Sequence, residues 1–86
     1  MEEMIKKLYE SILKLETIEE CENFFADLCT NKEIEQMAQR VKAATLLLDG
    51  KTYAEVISET EISSATLSRV SRCVQYGKGY KTIFRK

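Results

Sequence analysis

The amino-acid sequence predicts an all-α protein, and three observations support that prediction. The 86 residues contain no proline, so long helices can form without interruption. Apolar residues, which make up 44% of the chain, recur at steps of three and four positions. No stretch alternates between apolar and polar residues with the period of two that is typical of a strand. We expect about five helices in the chain.

Capping residues predict where the first three helices begin and end. Thr17 and Glu20 have the spacing of a capping box that starts a second helix, and Thr30 and Glu33 have the same spacing at the start of a third. The third helix stops at Gly50, which can adopt the left-handed cap conformation. The expected apolar faces are Ile5, Leu8, Ile12 and Leu15 in a first helix near residues 2–15, Cys21, Phe24, Phe25 and Leu28 in the second, and Ile34, Met37, Ala38, Val41, Ala44, Thr45 and Leu48 in the third.

The small size of the chain limits how these apolar faces can be covered. A domain of this length buries only about 60% of its extended-chain surface, so its own core gives marginal stability. The face of the first helix must pack either on its own chain or across a subunit boundary, and we expect a homodimer. We therefore assign residues 1–49 to the core and dimer interface, residues 50–76 to a DNA-binding segment and residues 77–86 to a basic tail, within one compact domain.

The segment from Thr52 to Val70 has the pattern of a helix-turn-helix. A capping box of Thr52 and Glu55 starts one short helix, residues 60–62 form the turn, and Ser63 caps a second short helix. Two short helices, a turn of this length and apolar residues at fixed offsets are what the motif requires. The two helices are expected near residues 53–60 and 64–76, with Val56, Ile57, Leu67, Val70 and Val74 facing inward and Ser64, Thr66, Ser68, Arg69 and Arg72 largely outward.

The charges are segregated along the chain and favour an anionic partner. Residues 1–37 carry ten acids and four lysines, a balance of −6, whereas residues 38–86 carry nine bases and four acids, a balance of +5. From Ile62 to Lys86 there are six bases and no acid. Hydroxyl groups and arginines at the start of a recognition helix can contact phosphates or base edges of double-stranded DNA. The residues expected to bind DNA are Lys51, Thr52, Ser63, Ser64, Ala65, Thr66, Ser68, Arg69 and Arg72.

Several function classes are excluded or disfavoured by the composition. Histidine is absent, which removes histidine-dependent catalytic triads and histidine zinc ligands, and no glycine-rich phosphate-binding loop occurs. The three cysteines form no Cys-x-x-Cys pair and are typical of reduced thiols in a cytosolic protein. Neither a membrane span nor a signal peptide is expected. We therefore expect no enzyme activity, no metal and no cofactor.

Beyond these features, the chain resembles the Trp repressor superfamily, and within it the small YerC/YecD-type proteins. The resemblance covers roughly residues 18–80. The matching segments are Phe24-Phe25-Ala-Asp-Leu-Cys29, Ala38-Gln39-Arg40, Leu46-Leu47, Gly50-Lys51-Thr52-Tyr53, Ala65-Thr66-Leu67-Ser68-Arg69-Val70 and Arg72-Cys73-Val74-Gln75-Tyr76-Gly77. It implies a bacterial cytoplasmic transcription regulator, associated with the nucleoid when bound. It also implies an intertwined homodimer that presents two helix-turn-helix heads to a palindromic DNA site.

The resemblance also indicates a candidate ligand pocket. Arg40 and Arg69 match the two arginines that sandwich the indole ring in tryptophan-sensing members, and Thr30 matches a threonine at the pocket edge. Val70 stands where those members have glycine, and its branched side chain should occupy the space beside the ring. We therefore expect that tryptophan is not the corepressor, and the residues identify no other effector.

Two residues depart from the usual helix-turn-helix pattern. Glu61 stands where glycine is usual because that position adopts a positive φ, and Ile57 stands where alanine lets the two helices approach closely. Glu61 and the acidic first half of the chain favour an alternative function, a helical protein-interaction module that has kept the fold but lost specific DNA binding. A small-molecule sensor without DNA binding is supported only by Arg40 and Arg69.

Overall fold

The structure, a computed structural model, describes residues 1–85, in which α-helix is the only regular secondary structure. Its six helices are α1 (Glu2–Ile12), α2 (Ile18–Leu28), α3 (Asn31–Leu48), α4 (Tyr53–Thr60), α5 (Ser64–Tyr76) and α6 (Gly79–Phe84). The predicted all-α class is confirmed. The sixth helix lies in the segment that the sequence assigned only to a basic tail, whose last residue, Lys86, is outside the described residues. No helix within this range is both long and apolar enough to cross a bilayer.

Residues 1–31 form one compact unit that contains α1 and α2. The predicted end of the first helix, residue 15, is wrong: α1 ends at Ile12, and the chain then makes a tighter turn in which the Leu15 N–H donates to the Ile12 carbonyl at 3.1 Å. Thr17 caps α2 as predicted, accepting from the Glu20 N–H at 3.0 Å. The Glu20 carboxylate in turn accepts from the N–H of Glu16, one residue before the cap, at 2.8 Å.

The helices of this first unit keep apolar side chains at the surface. Neither α1 nor α2 contains a buried residue. Phe24 and Phe25 contact each other edge to face, with ring centroids 5.7 Å apart, and both are half-buried. The exposed apolar residues of α1 and α2 are Met4, Ile5, Leu8, Tyr9, Ile18 and Leu28. Both helices of this unit therefore carry exposed apolar side chains.

The second compact unit starts at Lys32 and holds the buried core. The core residues are Ala43, Ala44, Leu46, Val56, Ile62, Leu67, Val70 and Val74. The predicted apolar face of α3 is wrong in part: Ala43 and Leu46 are buried, whereas Val41 is 43% exposed and Leu48 37% exposed. The buried face is centred on the adjacent Ala43 and Ala44, which belong to the same core as Val56 of α4 and Leu67 of α5. The boundaries predicted at residues 49 and 76 stay a prediction.

The connection between α5 and α6 depends on a glycine. A Cβ added at Gly77 would lie 2.7 Å from the carbonyl oxygen of Cys73, so only glycine fits there without a shift of the α5 backbone. From α6, the Lys81 Nζ donates to the carbonyl oxygen of Gln75 in the last turn of α5 at 2.7 Å. Tyr80 packs on the core and is half-buried. The short α6 is thus attached to the end of α5 by a hydrogen bond from Lys81 and to the core by Tyr80.

Candidate nucleic-acid interface

Helices α4 and α5 form the two arms of a helix-turn-helix. The eight residues of α4 are followed by a turn over residues 61–63 and by the thirteen residues of α5, which packs against α4. Leu67, Val70 and Val74 of α5 are buried as predicted. On α4, Val56 is fully buried, but the prediction that Ile57 faces inward is wrong, because Ile57 is 37% exposed. The inward face of α4 is therefore narrower than the sequence indicated.

The cap at the start of α4 is a complete capping box. The Thr52 hydroxyl accepts from the Glu55 N–H at 3.2 Å, and the Glu55 carboxylate accepts from the Thr52 N–H at 2.9 Å. The pKa of the Glu55 carboxyl is lowered from its ordinary value of 4.5. The largest cause is the hydrogen bond from the backbone of Thr52, and the next is the hydrogen bond with the Thr52 side chain. Thr52, predicted as a DNA contact, therefore already serves as a cap, while the neighbouring Lys51 is exposed.

The first turn of α5 divides the predicted hydroxyl residues into two groups. Ser63 caps the helix by accepting from the Thr66 N–H at 3.2 Å, and its hydroxyl donates to Thr66 Oγ1 at 2.9 Å. Thr66 is also half-buried rather than outward-facing. Ser64, Ala65 and Ser68 are exposed. In residues 1–85 the side chains of Ser64 and Ser68 make no hydrogen bond, so they are available to a ligand.

The arginines of α5 lie on its exposed side. Arg69 and Arg72 are three residues apart and both are exposed. Within the described part of the chain, neither guanidinium has an ion-pair partner. Two unpaired cations one helical turn apart, beside the small side chains of Ser64, Ala65 and Ser68, form a surface that suits a polyanion. We call these five residues the α5 ridge.

A long-range hydrogen bond fixes the turn between the two helices. The Gln39 Nε2 of α3 donates to the Thr60 carbonyl oxygen at 3.2 Å in a partly buried position. The Thr60 hydroxyl accepts from the Ile62 N–H at 3.3 Å. Between them, Glu61 adopts φ 60° and ψ 18°, the left-handed conformation that the sequence predicted for this position. Sequence reasoning missed the role of Gln39, since its partner lies 21 residues away and a backbone acceptor leaves no sequence signal.

The two arginines of the predicted ligand pocket line one cavity. Arg40 and Arg69 are joined there by Val70, Cys73 and Tyr80, around a volume of about 300 Å³. Val70 is only 2% exposed, so its side chain fills space at the wall of this cavity. Thr30, the third predicted pocket residue, belongs to the first compact unit. The lining role of Tyr80 was missed because the sequence assigned residues 77–86 only to a basic tail.

Comparisons with known proteins agree with this architecture. The family model described as Trp repressor protein matches residues 3–86. The uncharacterized protein YerC of Bacillus subtilis (strain 168) is 49% identical over 73 residues, which are 85% of this chain and 70% of YerC.

Two crystal structures are similar to the chain over most of its length. A protein described as a candidate Trp repressor from Staphylococcus aureus is 43% identical, with a TM-score of 0.89, over 93% of this chain and 81% of that one. A TrpR-like protein from Eubacterium eligens ATCC 27750 is 37% identical, with a TM-score of 0.91, over 95% of this chain and 86% of that one. The family match, the sequence identity and the shared fold agree, and the chain belongs to the Trp repressor family.

Proposed function

We propose that this protein is a sequence-specific DNA-binding transcription regulator that acts as a homodimer on a palindromic site. The observation that carries the proposal is the α5 ridge, which lies on the exposed face of a capped helix whose apolar face is buried. It combines small side chains with two arginines that have no ion-pair partner in residues 1–85. The Trp repressor family supports a helix-turn-helix regulator in general. We further propose that its partner is double-stranded DNA with a two-fold symmetric site, which the α5 ridge contacts. The protein then acts in the bacterial cytoplasm and is associated with the nucleoid when bound.

Binding is proposed to divide between affinity and specificity along α5. Arg69 and Arg72, together with the exposed Lys51, neutralise phosphates and supply most of the affinity. Ser64, Ala65 and Ser68 enter the major groove with the first turns of α5 and contact base edges. Ser63 and Thr66, which bond to each other, hold that first turn in place, and the Thr66 hydroxyl proton remains available to a phosphate or a base.

The homodimer is supported by the exposed apolar surface of residues 1–31. An amphipathic helix pair without a buried residue is covered when a second copy packs on it, in line with the predicted assignment of residues 1–49 to the dimer interface. Two-fold symmetry presents one α5 from each subunit. The half-sites are then about one helical turn of DNA apart, roughly 34–36 Å, as in other helix-turn-helix dimers.

Tryptophan is not the proposed corepressor. The cavity lined by Arg40 and Arg69 has the buried side chain of Val70 at its wall, which takes up space that a planar ring between two guanidinium groups requires. A glycine at this position leaves that space open. Regulation therefore uses another effector or none.

Selection of binding sites from random duplex DNA tests this function. We expect the full-length protein to enrich a sequence with two-fold symmetry and to protect both half-sites in a footprint, while light scattering gives the mass of a dimer. Arg69→Ala should weaken binding to all duplexes, and more to the selected site if Arg69 contacts a base. A footprint without symmetry, or unchanged affinity of Arg69→Ala in a gel-shift series, would contradict the proposed interface.

A second candidate function is a protein-interaction module that retains the fold without operator recognition. The specific observation in its favour is the acidic side of the motif, where Glu55, Glu59 and Glu61 are all exposed on α4 and the turn. Retention on a heparin column or on non-specific duplex separates the two functions. A DNA-binding protein is retained at physiological salt, whereas an interaction module that does not bind DNA appears in the flow-through.

A further inference from the structure

We infer that Glu61 is a specificity-determining residue of the proposed DNA interface, where its carboxylate accepts a hydrogen bond from the amino group of a cytosine and repels other contacts. The inference rests on the proposed function. It gives a role to an acidic residue of the helix-turn-helix that phosphate binding does not explain. The family resemblance does not supply it, since glycine is the usual residue at this position.

The backbone of Glu61 adopts a left-handed conformation. Its φ of 60° makes it the only non-glycine residue with a positive φ in the described part of the chain. A residue with a Cβ atom is disfavoured in this conformation, whereas glycine adopts it freely. A strained residue that persists points to a role for its side chain. Glu61 makes no side-chain hydrogen bond in residues 1–85, so no interaction of its side chain within that range offsets the strain.

Hydrogen bonds and core packing fix the backbone on both sides of Glu61. Its N–H donates to the Ile57 carbonyl at 2.8 Å, and the preceding carbonyl, that of Thr60, accepts from Gln39 at 3.2 Å. The following residue, Ile62, is 3% exposed and anchored in the core. The backbone on both sides is therefore fixed, while the Glu61 side chain itself is exposed. Because this backbone is already fixed, binding through the carboxylate would cost the rotamer freedom of the side chain but no further ordering of the turn.

The position and the negative charge of Glu61 indicate which base it would contact. Glu61 lies two residues before the Ser63 cap of α5, the end of the helix that enters the major groove first, and no acid follows it in the chain. A carboxylate only accepts hydrogen bonds. In the major groove, cytosine presents an N4 amino donor that suits it, whereas guanine presents the acceptors O6 and N7. Glu61 therefore favours cytosine, repels guanine and phosphates, and sharpens discrimination at the cost of overall affinity.

The polar surroundings of Glu61 do not compete for its carboxylate. It lines a cleft of about 390 Å³ with donors on α3, among them Gln36 and Arg40, and with the hydroxyls of Ser63 and Thr66. The Ser63 hydroxyl donates to Thr66 Oγ1, and neither hydroxyl bonds to the Glu61 carboxylate within residues 1–85. Neither Gln36 nor Arg40 contacts the carboxylate by a hydrogen bond or an ion pair within residues 1–85. No described residue of the cleft therefore occupies the carboxylate, and its hydrogen-bond acceptors remain available to DNA.

Selection from a random duplex pool with three full-length proteins tests the inference. The wild type should enrich cytosine at one position in each half-site. Glu61→Gln should lose that preference and shift it toward adenine, which a glutamine amide can bind, and should bind non-specific duplex more tightly. We expect a loss of about tenfold in discrimination per half-site. Glu59→Gln, an exposed position on α4 with the same change of charge, is the matched control and should keep the cytosine preference.

Glu61→Gly separates charge from backbone strain. It should lose the cytosine preference as Glu61→Gln does. Only the glycine variant also removes the backbone strain of the left-handed conformation, because glycine adopts that conformation freely. An unchanged cytosine preference in Glu61→Gln, or an equal loss in Glu59→Gln, would overturn the inference while leaving the DNA-binding function intact. A wild-type protein that enriches no sequence and binds no duplex would instead refute the proposed function itself, and the inference with it.

Discussion

Replacing Arg72 with alanine should change how steeply DNA binding depends on salt. Each subunit is proposed to contact phosphates through Arg69, Arg72 and Lys51, and we expect Lys78, which follows α5, to add a fourth contact. All four cations are exposed. A dimer then makes about 6–8 phosphate contacts. Because each contact releases condensed counterions, the logarithm of the association constant should fall with the logarithm of salt concentration with a slope of about −5 to −7. Arg72→Ala removes two contacts per dimer and should flatten this slope by about 2.

Fluorescence anisotropy of a labelled duplex, titrated at several salt concentrations, measures this slope directly. Since Arg72 is exposed and has no ion-pair partner in residues 1–85, its removal should change the free energy of unfolding by less than about 0.5 kcal/mol. Lys6→Ala, which removes an exposed cation from α1, is the matched control and should leave the slope unchanged. The same slope for Arg72→Ala and the wild type would show that Arg72 contacts no phosphate and would refute this account of affinity.

Three further predictions test the core, the cap of α4 and the ligand cavity. Leu67→Ala should lower the free energy of unfolding by about 3 kcal/mol in urea titrations, because Leu67 is fully buried, whereas exposed Ser68→Ala should be nearly neutral. Glu55→Ala should lower the melting temperature at pH 7. Its folded-state pKa is depressed by hydrogen bonds from Thr52, so the ionised carboxylate stabilises the fold above its unfolded pKa, and the difference from wild type should narrow as the pH falls through the folded pKa. Millimolar tryptophan should leave the melting temperature of the wild type unchanged, and a clear increase would show that Val70 does not block the cavity.

Local sequence signals predicted the helix-turn-helix well because its geometry depends on neighbours in the chain. The caps formed by Thr52 and Ser63 rest on hydrogen bonds that span three residues, and both are present in the structure. The positive φ at Glu61 was predicted from its place in the turn. The inward positions of α5 follow from the helical period alone, with Leu67 and Val70 as examples.

Features that depend on distant packing were not predicted. On α3 the apolar positions are numerous enough for more than one stripe, and the buried one includes Ala43 and Leu46 because α4 and α5 pack there. Ile57 fits an inward face by spacing, yet the core around Val56 leaves it at the surface. The helix that brings Tyr80 to the cavity is only six residues long, too short for a periodicity signal.

The glycine between the last two helices has a consequence for how this protein can vary. Because any β-carbon at Gly77 would meet the Cys73 carbonyl oxygen at 2.7 Å, a saturation library scored for folded protein should recover almost no substitutions there. Gly79, where added atoms would meet nothing within 4 Å, should accept many. Engineered fusions, labels or altered C-terminal segments are therefore best attached beyond residue 77. By that point Gly77 has already set the direction in which the chain leaves α5.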